Sequence, residues 1–105
     1  MVRRVVYLKT ARKDRRKILD YIIRGSQSVE VGQRFMKRMA DYCDHLASLP
    51  FQLGIPRADL LPNLRSSVFE GYVIFFRYSD DRFEVVSILE GHRDIPAVFS
   101  PVNPE

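Results

Sequence analysis

Residues 64–89 read LRSSVFEGYVIFFRYSDDRFEVVSIL, and this stretch decides the fold. It contains three runs that are rich in β-branched and aromatic residues, the composition typical of strands. The runs are Leu64–Glu70, Tyr72–Ser79 and Phe83–Leu89. Gly71 separates the first two runs, and Ser79-Asp80-Asp81-Arg82 separates the last two with residues that favour tight turns. The stretch therefore predicts an antiparallel meander of three strands.

Two helices are predicted before the meander, because apolar residues recur there every three or four positions. For the first helix, Thr10 is the predicted N-cap, and Gly25-Ser26 end the pattern because glycine tolerates a left-handed backbone. For the second helix, Ser28 is the predicted N-cap and Pro50 the stop. The link between the helices is short, so they are expected to pack as an antiparallel hairpin.

The remaining segments complete the predicted order of elements. Val2–Lys9 is rich in β-branched residues and predicts a first strand, whereas residues 50–64 carry prolines and a glycine and predict an irregular connector. The order is then β-α-α-β-β-β, an α+β fold with the helical hairpin packed on one face of a small antiparallel sheet. The 105 residues form one domain, residues 1–105, with an irregular tail over about 95–105.

Positive charge is concentrated in the first part of the chain. The net charge is +4, but residues 1–40 hold 12 Lys and Arg against three acids, a balance of +9. A basic surface of this kind favours phosphate backbones or acidic protein partners, while the alternative is a solvated outer helix face. No run approaches the roughly 20 apolar residues that span a bilayer, and the N-terminus does not read as a secretory signal. The expected compartment is therefore the cytoplasm, with no membrane partner.

The stretch Tyr72–Tyr78 is apolar or aromatic on both of its alternating faces. A sheet that is covered by helices on one side only should alternate apolar with polar residues. The second face is therefore expected to meet the chain's own tail, a partner chain or another copy, and a partner is the favoured occupant.

Metal and cofactor chemistry is not predicted. His45 and His92 are the only histidines, Cys43 is the only cysteine, and no glycine-rich phosphate loop is present. Arginine is left as the main recognition group, and arginines outside the basic half could grip a phosphate backbone or pair with nearby carboxylates. These are Arg57, Arg65, Arg77, Arg82 and Arg93. For Arg93, pairing beside Asp94 is favoured, and for Arg65 both alternatives stay open.

Five short motifs follow one another from Ala11 to Asp94, and the resemblance that they carry covers roughly residues 3–98. They are Ala11-x-x-Asp14…Ile18-x-x-Tyr21-Ile22, Phe35…Leu46-x-x-Leu49-Pro50, Pro50-x-x-x-Gly54-x-x-Arg57-x-x-Leu60-x-x-x-Leu64-Arg65, Tyr72-x-Ile74-Phe75-Phe76-Arg77 and Val86-x-Ile88-Leu89-x-Gly91-x-Arg93-Asp94. Together they resemble the ParE/RelE superfamily of type II toxin–antitoxin toxins, its ParE-like branch in particular. The resemblance implies the same β-α-α-β-β-β architecture, neutralisation by a cognate antitoxin from the same operon and, for the ParE-like branch, inhibition of DNA gyrase.

Three features favour the ParE-like branch over RelE-like enzymes that cut mRNA on the ribosome. Phe99 stands where RelE-like members have a tyrosine or histidine, no lysine follows Lys37, and the long second helix and connector are ParE-like. Glu90 departs from the histidine that ParE relatives often have there. The resemblance implies a gyrase inhibitor with no catalytic residues. The alternatives are a metal-independent mRNA endonuclease that uses Arg65, Arg93 and His92, and a non-toxic family member that only binds its antitoxin.

Two binding surfaces are predicted on this basis. Antitoxin contact is expected on the basic helical hairpin and on the apolar second face of the sheet. The residues concerned are Arg12, Arg15, Arg16, Ile74, Phe76 and Tyr78. Target contact is expected at Arg65, Arg77, Arg93 and Phe99. Direct binding of nucleic acid is not expected.

Overall fold

Two helices pack against one five-stranded sheet. The computed structural model describes residues 3–91 together with Ile95 and Phe99, so most of the predicted irregular tail lies outside the described residues. The elements in chain order are β1 (Arg4–Tyr7), α1 (Lys9–Ser26), α2 (Val29–Ser48), β2 (Ile55–Pro56), β3 (Arg65–Phe69), β4 (Tyr72–Ser79) and β5 (Arg82–Glu90). The predicted α+β class is confirmed. The two-residue strand β2 is an addition, since the sequence placed it within an irregular connector.

The sheet has the strand order β1-β5-β4-β3-β2. The predicted meander is confirmed, because β3 with β4 and β4 with β5 pair antiparallel in sequence order. β1 pairs parallel to β5, with Arg4 opposite Arg82, so the expectation of a wholly antiparallel sheet is corrected to a mixed one. Parallel neighbours need a long crossover, which the hairpin, the connector and the first two meander strands supply here. β2 pairs with the start of β3 and closes the opposite edge of the sheet.

Helix α1 begins earlier and ends later than the sequence predicts. Its N-cap is Leu8, which has extended backbone and no side-chain cap, so the prediction that Thr10 caps this helix is wrong. The Leu8 N–H donates to the Val85 carbonyl at 2.9 Å, and this bond to the sheet fixes the point where the helix begins. At the other end Gln27, at φ 58°, takes the left-handed position expected of Gly25.

Helix α2 follows after a very short turn and forms the predicted antiparallel hairpin with α1. The prediction of Ser28 as its N-cap is confirmed, because the Ser28 hydroxyl accepts a hydrogen bond from the Val31 N–H at 3.2 Å. The helices approach closely at Gly32, where a Cβ atom would lie 2.7 Å from Cγ1 of Ile23. The absence of a side chain at Gly32 therefore sets the separation of the two helices.

The Asp14 side chain connects α1 to β5 through two hydrogen bonds. β1 pairs with β5 only as far as Val85, and the Asp14 carboxylate approaches the next part of β5. Its Oδ2 accepts hydrogen bonds from the Ser87 hydroxyl at 2.8 Å and from the Ile88 N–H at 2.9 Å. A buried backbone N–H without a strand partner is satisfied in this way, which is a general requirement of protein interiors.

The main core lies between the helices and one face of the sheet. Its fully buried side chains include Met39 and Cys43 from α2 and Phe76 and Phe83 from the sheet. Ile74 and Phe76 are fully buried in this core, and Tyr78 packs against it. The prediction that these three residues lie on an open face for an antitoxin is therefore corrected, because the helices cover the face of β4 on which they lie.

The second face of the sheet is covered by the chain itself. Leu64, Val73, Phe75 and Leu89 form a second cluster, against which the connector and the C-terminal segment pack. The covering residues include Leu60, Leu61, Ile95 and Phe99. The Phe99 ring lies 4.8 Å from the ring of Phe75, measured between centroids. Of the occupants considered from the sequence, the chain's own segments are present, and the preference for a partner is corrected. No helix of the described residues is both long and apolar enough to cross a membrane.

Candidate functional site

An open cleft of about 290 Å³ lies along the junction of α1 and α2. It is lined by Arg12, Arg15, Arg16, Leu19 and Met36, and we call it the arginine cleft. Three cationic side chains come from two successive turns of α1, while Leu19 and Met36 supply apolar surface. Arginine pairs well with carboxylates, and apolar surface accepts an aliphatic anchor, so the arginine cleft suits an acidic amphipathic peptide.

Tyr7 holds two of these arginines in place. The Arg15 guanidinium lies 4.3 Å from the centroid of the Tyr7 ring, a cation–π contact. Arg12 Nη1 donates to the Tyr7 carbonyl oxygen at 2.9 Å. Neither contact involves a carboxylate, so the contacts with Tyr7 do not neutralise the positive charge of Arg12 or Arg15, and both can pair with an anionic group of a ligand.

The groups beneath the arginine cleft are uncharged at neutral pH. Burial raises the pKa of the Tyr7 hydroxyl far above its usual range. Burial also raises the pKa of the neighbouring Cys43 thiol to about 11, although the hydrogen bond with Tyr7 and the charge of Arg15 oppose this shift. No anion therefore forms at either group to offset the arginines above them.

Arg65, one of the residues predicted to bind a target, is bonded to the connector. Its Nε donates to the Leu53 carbonyl at 2.7 Å, and its Nη2 donates to the Gly54 carbonyl at 3.0 Å. The sequence left phosphate binding and carboxylate pairing open for this residue. The structure shows a third arrangement, in which Arg65 holds the connector against the start of β3.

Arg77 is engaged with a carboxylate. Its Nε donates to Glu84 Oε1 at 2.7 Å, and Arg82 pairs with the other oxygen of Glu84. The Glu84 side chain is only 7% exposed, whereas both arginine side chains are 42% exposed. The internal pairing considered from the sequence is present, and it leaves an excess of one positive charge at this surface.

The structure places Arg65 and Arg77 on opposite faces of the sheet. Arg65 lies directly opposite Phe76 in the β3–β4 register, so it shares the helix-covered face. Arg77 follows Phe76 along β4 and points to the other face. The two residues therefore do not belong to one target-binding site, and Arg77 instead shares its face with Phe75 and the Phe99 that covers it.

Sequence reasoning missed two features of these surfaces. Leu19 and Met36 form the apolar part of the arginine cleft, and the only available signal was their place beside the buried stripes of α1 and α2. The second is the contact of Arg57 with Phe75, whose ring centroid lies 5.8 Å from the guanidinium, whereas the pairing of Arg57 with Asp59 is one of the carboxylate pairings considered from the sequence. The predictions for His92 and Arg93 lie outside the described residues.

The architecture and strand order are those of the RelE/ParE-like toxins, and comparison with solved structures agrees. Nine chains match, among them one from the "Chromosomal ParDE TA system from P. aeruginosa" at a TM-score of 0.69. That match has 16% sequence identity and covers 85% of this chain and 96% of the other, so it shows a shared fold. The search of curated proteins gave no significant match.

The family itself follows from the sequence over nearly the whole fold. The family described as "ParE toxin of type II toxin-antitoxin system, parDE" matches residues 5–95, from β1 to Ile95 beyond the end of β5. The chain therefore belongs to the ParE toxin family of type II toxin–antitoxin systems, as its motifs predicted.

Proposed function

We propose that this ParE-family toxin inhibits DNA gyrase in the cytoplasm and is neutralised by a cognate antitoxin from the same operon, which binds the arginine cleft. The observation that carries the proposal is the cleft itself: three cations beside apolar surface, with no carboxylate partner in the part of the chain the structure describes.

Neutralisation through the arginine cleft rests on complementary chemistry. An acidic segment that folds on binding would place carboxylates against Arg12 and Arg16 and an aliphatic side chain against Leu19 and Met36. Because Tyr7 already orients Arg12 and Arg15, little ordering of these two side chains is needed on binding. The cleft therefore offers a prepared site for such a partner.

Inhibition of gyrase without catalysis is supported by the arrangement of the sheet arginines. A metal-independent nuclease needs a cation for the phosphate and a proton donor and acceptor on the same surface. Arg65 and Arg77 lie on opposite faces and are both hydrogen-bonded within the protein. Phe99, which cannot transfer a proton, packs on Phe75. Among the described residues, the placement of Arg65, Arg77 and Phe99 therefore favours a toxin that binds its target over one that cleaves RNA.

The target is tested by a supercoiling assay with purified gyrase and the isolated toxin. The expected result is loss of supercoiling with accumulation of cleaved DNA, and induction in cells is expected to cause growth arrest with a DNA-damage response. Unchanged supercoiling together with cleavage of translated mRNA would replace the proposal with the endonuclease. Unchanged supercoiling and normal growth with a folded product would identify a non-toxic antitoxin-binding protein.

The antitoxin site is tested with two matched double variants. Arg12→Gln/Arg16→Gln removes two cleft cations, and Arg34→Gln/Lys37→Gln removes two cations of α2 that already pair with Glu30 and Asp41. A charge-assisted hydrogen bond contributes about 1.5–3 kcal/mol, so the loss of two should weaken antitoxin binding at least about 100-fold in the cleft variant. The α2 variant should stay within about threefold of the wild type. Equal affinity of both variants would reject the cleft as the binding site.

A further inference from the structure

The two helices differ in how their charges are neutralised. Every lysine and arginine of α2 pairs with a carboxylate: Arg34 with Glu30, Lys37 with Asp41, and Arg38 with Glu70. In the described part of the chain, no basic residue of α1 takes part in a salt bridge. The positive potential of the protein is therefore concentrated on α1.

The cations of α1 form two separate groups. Arg12, Arg15 and Arg16 border the arginine cleft, whereas Lys9, Lys13, Lys17 and Arg24 project from the exposed side of the helix. We call this second group the outer face. Lys9, Lys13 and Lys17 recur every four residues, so they form a row with steps of about 6 Å, and Arg24 extends it to about 22 Å.

The composition of the outer face separates it from a protein-binding surface. The centres of protein interfaces are enriched in apolar and aromatic anchors and depleted in lysine. The arginine cleft has such anchors, whereas the outer face is dominated by three lysines and an arginine. Asp20 lies among them, and Lys17 also borders a second cleft with Asp14, Tyr21 and Glu90. Lysines and arginines that project in a row from an exposed helix are the groups that contact nucleic-acid phosphates, and an exposed aromatic ring such as that of Tyr21 beside them is compatible with this role.

From this contrast we propose that the outer face of α1 binds the phosphodiester backbone of duplex nucleic acid, without sequence specificity. A row of about 22 Å faces a length of duplex that carries about a dozen phosphates, since duplex DNA has one charge per roughly 1.7 Å of axis. The outer face and the arginine cleft use different residues, so the two surfaces are separable by mutation. This proposal does not depend on gyrase being the target of the toxin, because the outer face would contact nucleic acid directly.

The binding is tested by fluorescence anisotropy with a labelled 20-base-pair DNA duplex and the wild-type toxin. If the four outer-face cations each contact a phosphate, the logarithm of the affinity falls with the logarithm of salt concentration at a slope of about −3.6. This slope corresponds to a loss of about 150-fold in affinity between 50 and 200 mM salt. Absence of binding at 50 mM salt would overturn the proposal.

Two triple variants with equal net charge locate the contact. Lys9→Gln/Lys13→Gln/Lys17→Gln alters the outer face, and Arg34→Gln/Lys37→Gln/Arg38→Gln alters the paired cations of α2. The outer-face variant should weaken binding at least about tenfold at 50 mM salt and bring the slope to about −0.9, while the α2 variant should keep the wild-type slope. Equal losses in the two variants would show that net charge alone is responsible and would reject the outer face.

The identity of the polyanion is tested in the same assay by competition. A duplex RNA of the same sequence should compete about as well as DNA, since both present the phosphodiester backbone. Poly-L-glutamate at the same concentration of charge should compete poorly. Equal competition by poly-L-glutamate would assign the outer face to acidic polypeptides instead. Unchanged circular dichroism spectra of the variants, expected because glutamine and lysine have similar helix propensities, confirm that each one is folded.

Discussion

Replacement of Asp14 tests how α1 is held against the sheet. In Asp14→Ala the Ser87 hydroxyl and the Ile88 N–H both lose their acceptor, which lies at 2.8 and 2.9 Å in the structure. Hydrogen bonds to a charged group contribute about 1.5–3 kcal/mol each, and the serine hydroxyl can rotate toward another acceptor, so a total loss of about 3 kcal/mol is expected. For a domain of this size, such a loss lowers the melting temperature by about 12–20 °C.

Two further variants separate the contributions to this loss. Asp14→Asn keeps an oxygen acceptor without the charge and should lose about half as much stability as Asp14→Ala. Ser87→Ala removes only the hydroxyl bond and should cost about 1 kcal/mol, with the Ile88 bond intact. Urea denaturation followed by circular dichroism measures all three variants. If Asp14→Ala costs less than about 0.5 kcal/mol, or if Ala and Asn are equivalent, the carboxylate does not satisfy the free edge of β5 as argued.

Three other substitutions examine the second face, a surface ion pair and the buried thiol. Phe99→Ala uncovers Phe75 and should reduce the free energy of unfolding by about 2 kcal/mol, which is less than for a fully buried phenylalanine because Phe99 is only partly buried. A stability equal to that of the wild type would show that the contact between Phe99 and Phe75 is not maintained. Arg38→Gln removes the hydrogen bond that lowers the pKa of Glu70, so the wild type should have the higher melting temperature at pH 7. This difference in melting temperature should vanish as the pH falls through the lowered pKa of Glu70, because the protonated carboxyl no longer pairs with Arg38. A difference that persists at pH 2 would contradict the prediction. The Cys43 thiol, with its pKa raised from 9.0 to about 11 by burial, should resist iodoacetamide at pH 8 in the folded protein, and rapid alkylation would refute the burial. The stability that its neutral form contributes should be lost between pH 9 and 11, so the wild type should lose more stability over this range than Cys43→Ala, in which the buried Tyr7 hydroxyl still contributes to the decline.

The parts of the fold that follow from local patterns were predictable from the sequence. The meander has strong turn signals at Gly71 and around Asp80, and Ser28 is a good N-cap with a favourable helix behind it. Leu8 could not be recognised as the N-cap of α1, because its role depends on a backbone bond to Val85 in a strand far away in sequence. Tertiary contacts of this kind leave no local pattern.

The assignment of the two faces of β4 could not be made from its sequence. Both faces are apolar, so the period of two residues gives no indication of which face the helices cover. The choice is settled by packing, which places Phe76 under the helices and Phe75 under the connector and Phe99. The same packing places Arg65 and Arg77 on opposite faces of the sheet, although both were expected from the sequence to contact the target. Arg12, Arg15 and Arg16 were predictable as a group because helical spacing alone brings them together.

The parallel pairing of β1 with β5 has a consequence for the timing of folding. Arg4 meets Arg82 only after most of the chain has been synthesised, and pairings between residues so distant in sequence form late because a large loop must close first. Tyr7, which orients Arg12 and Arg15, belongs to this strand. A growing chain can therefore form its helical hairpin early, but it completes the arginine cleft only when β5 arrives. An antitoxin that recognises the completed cleft would thus act on the full-length toxin and leave nascent chains unbound.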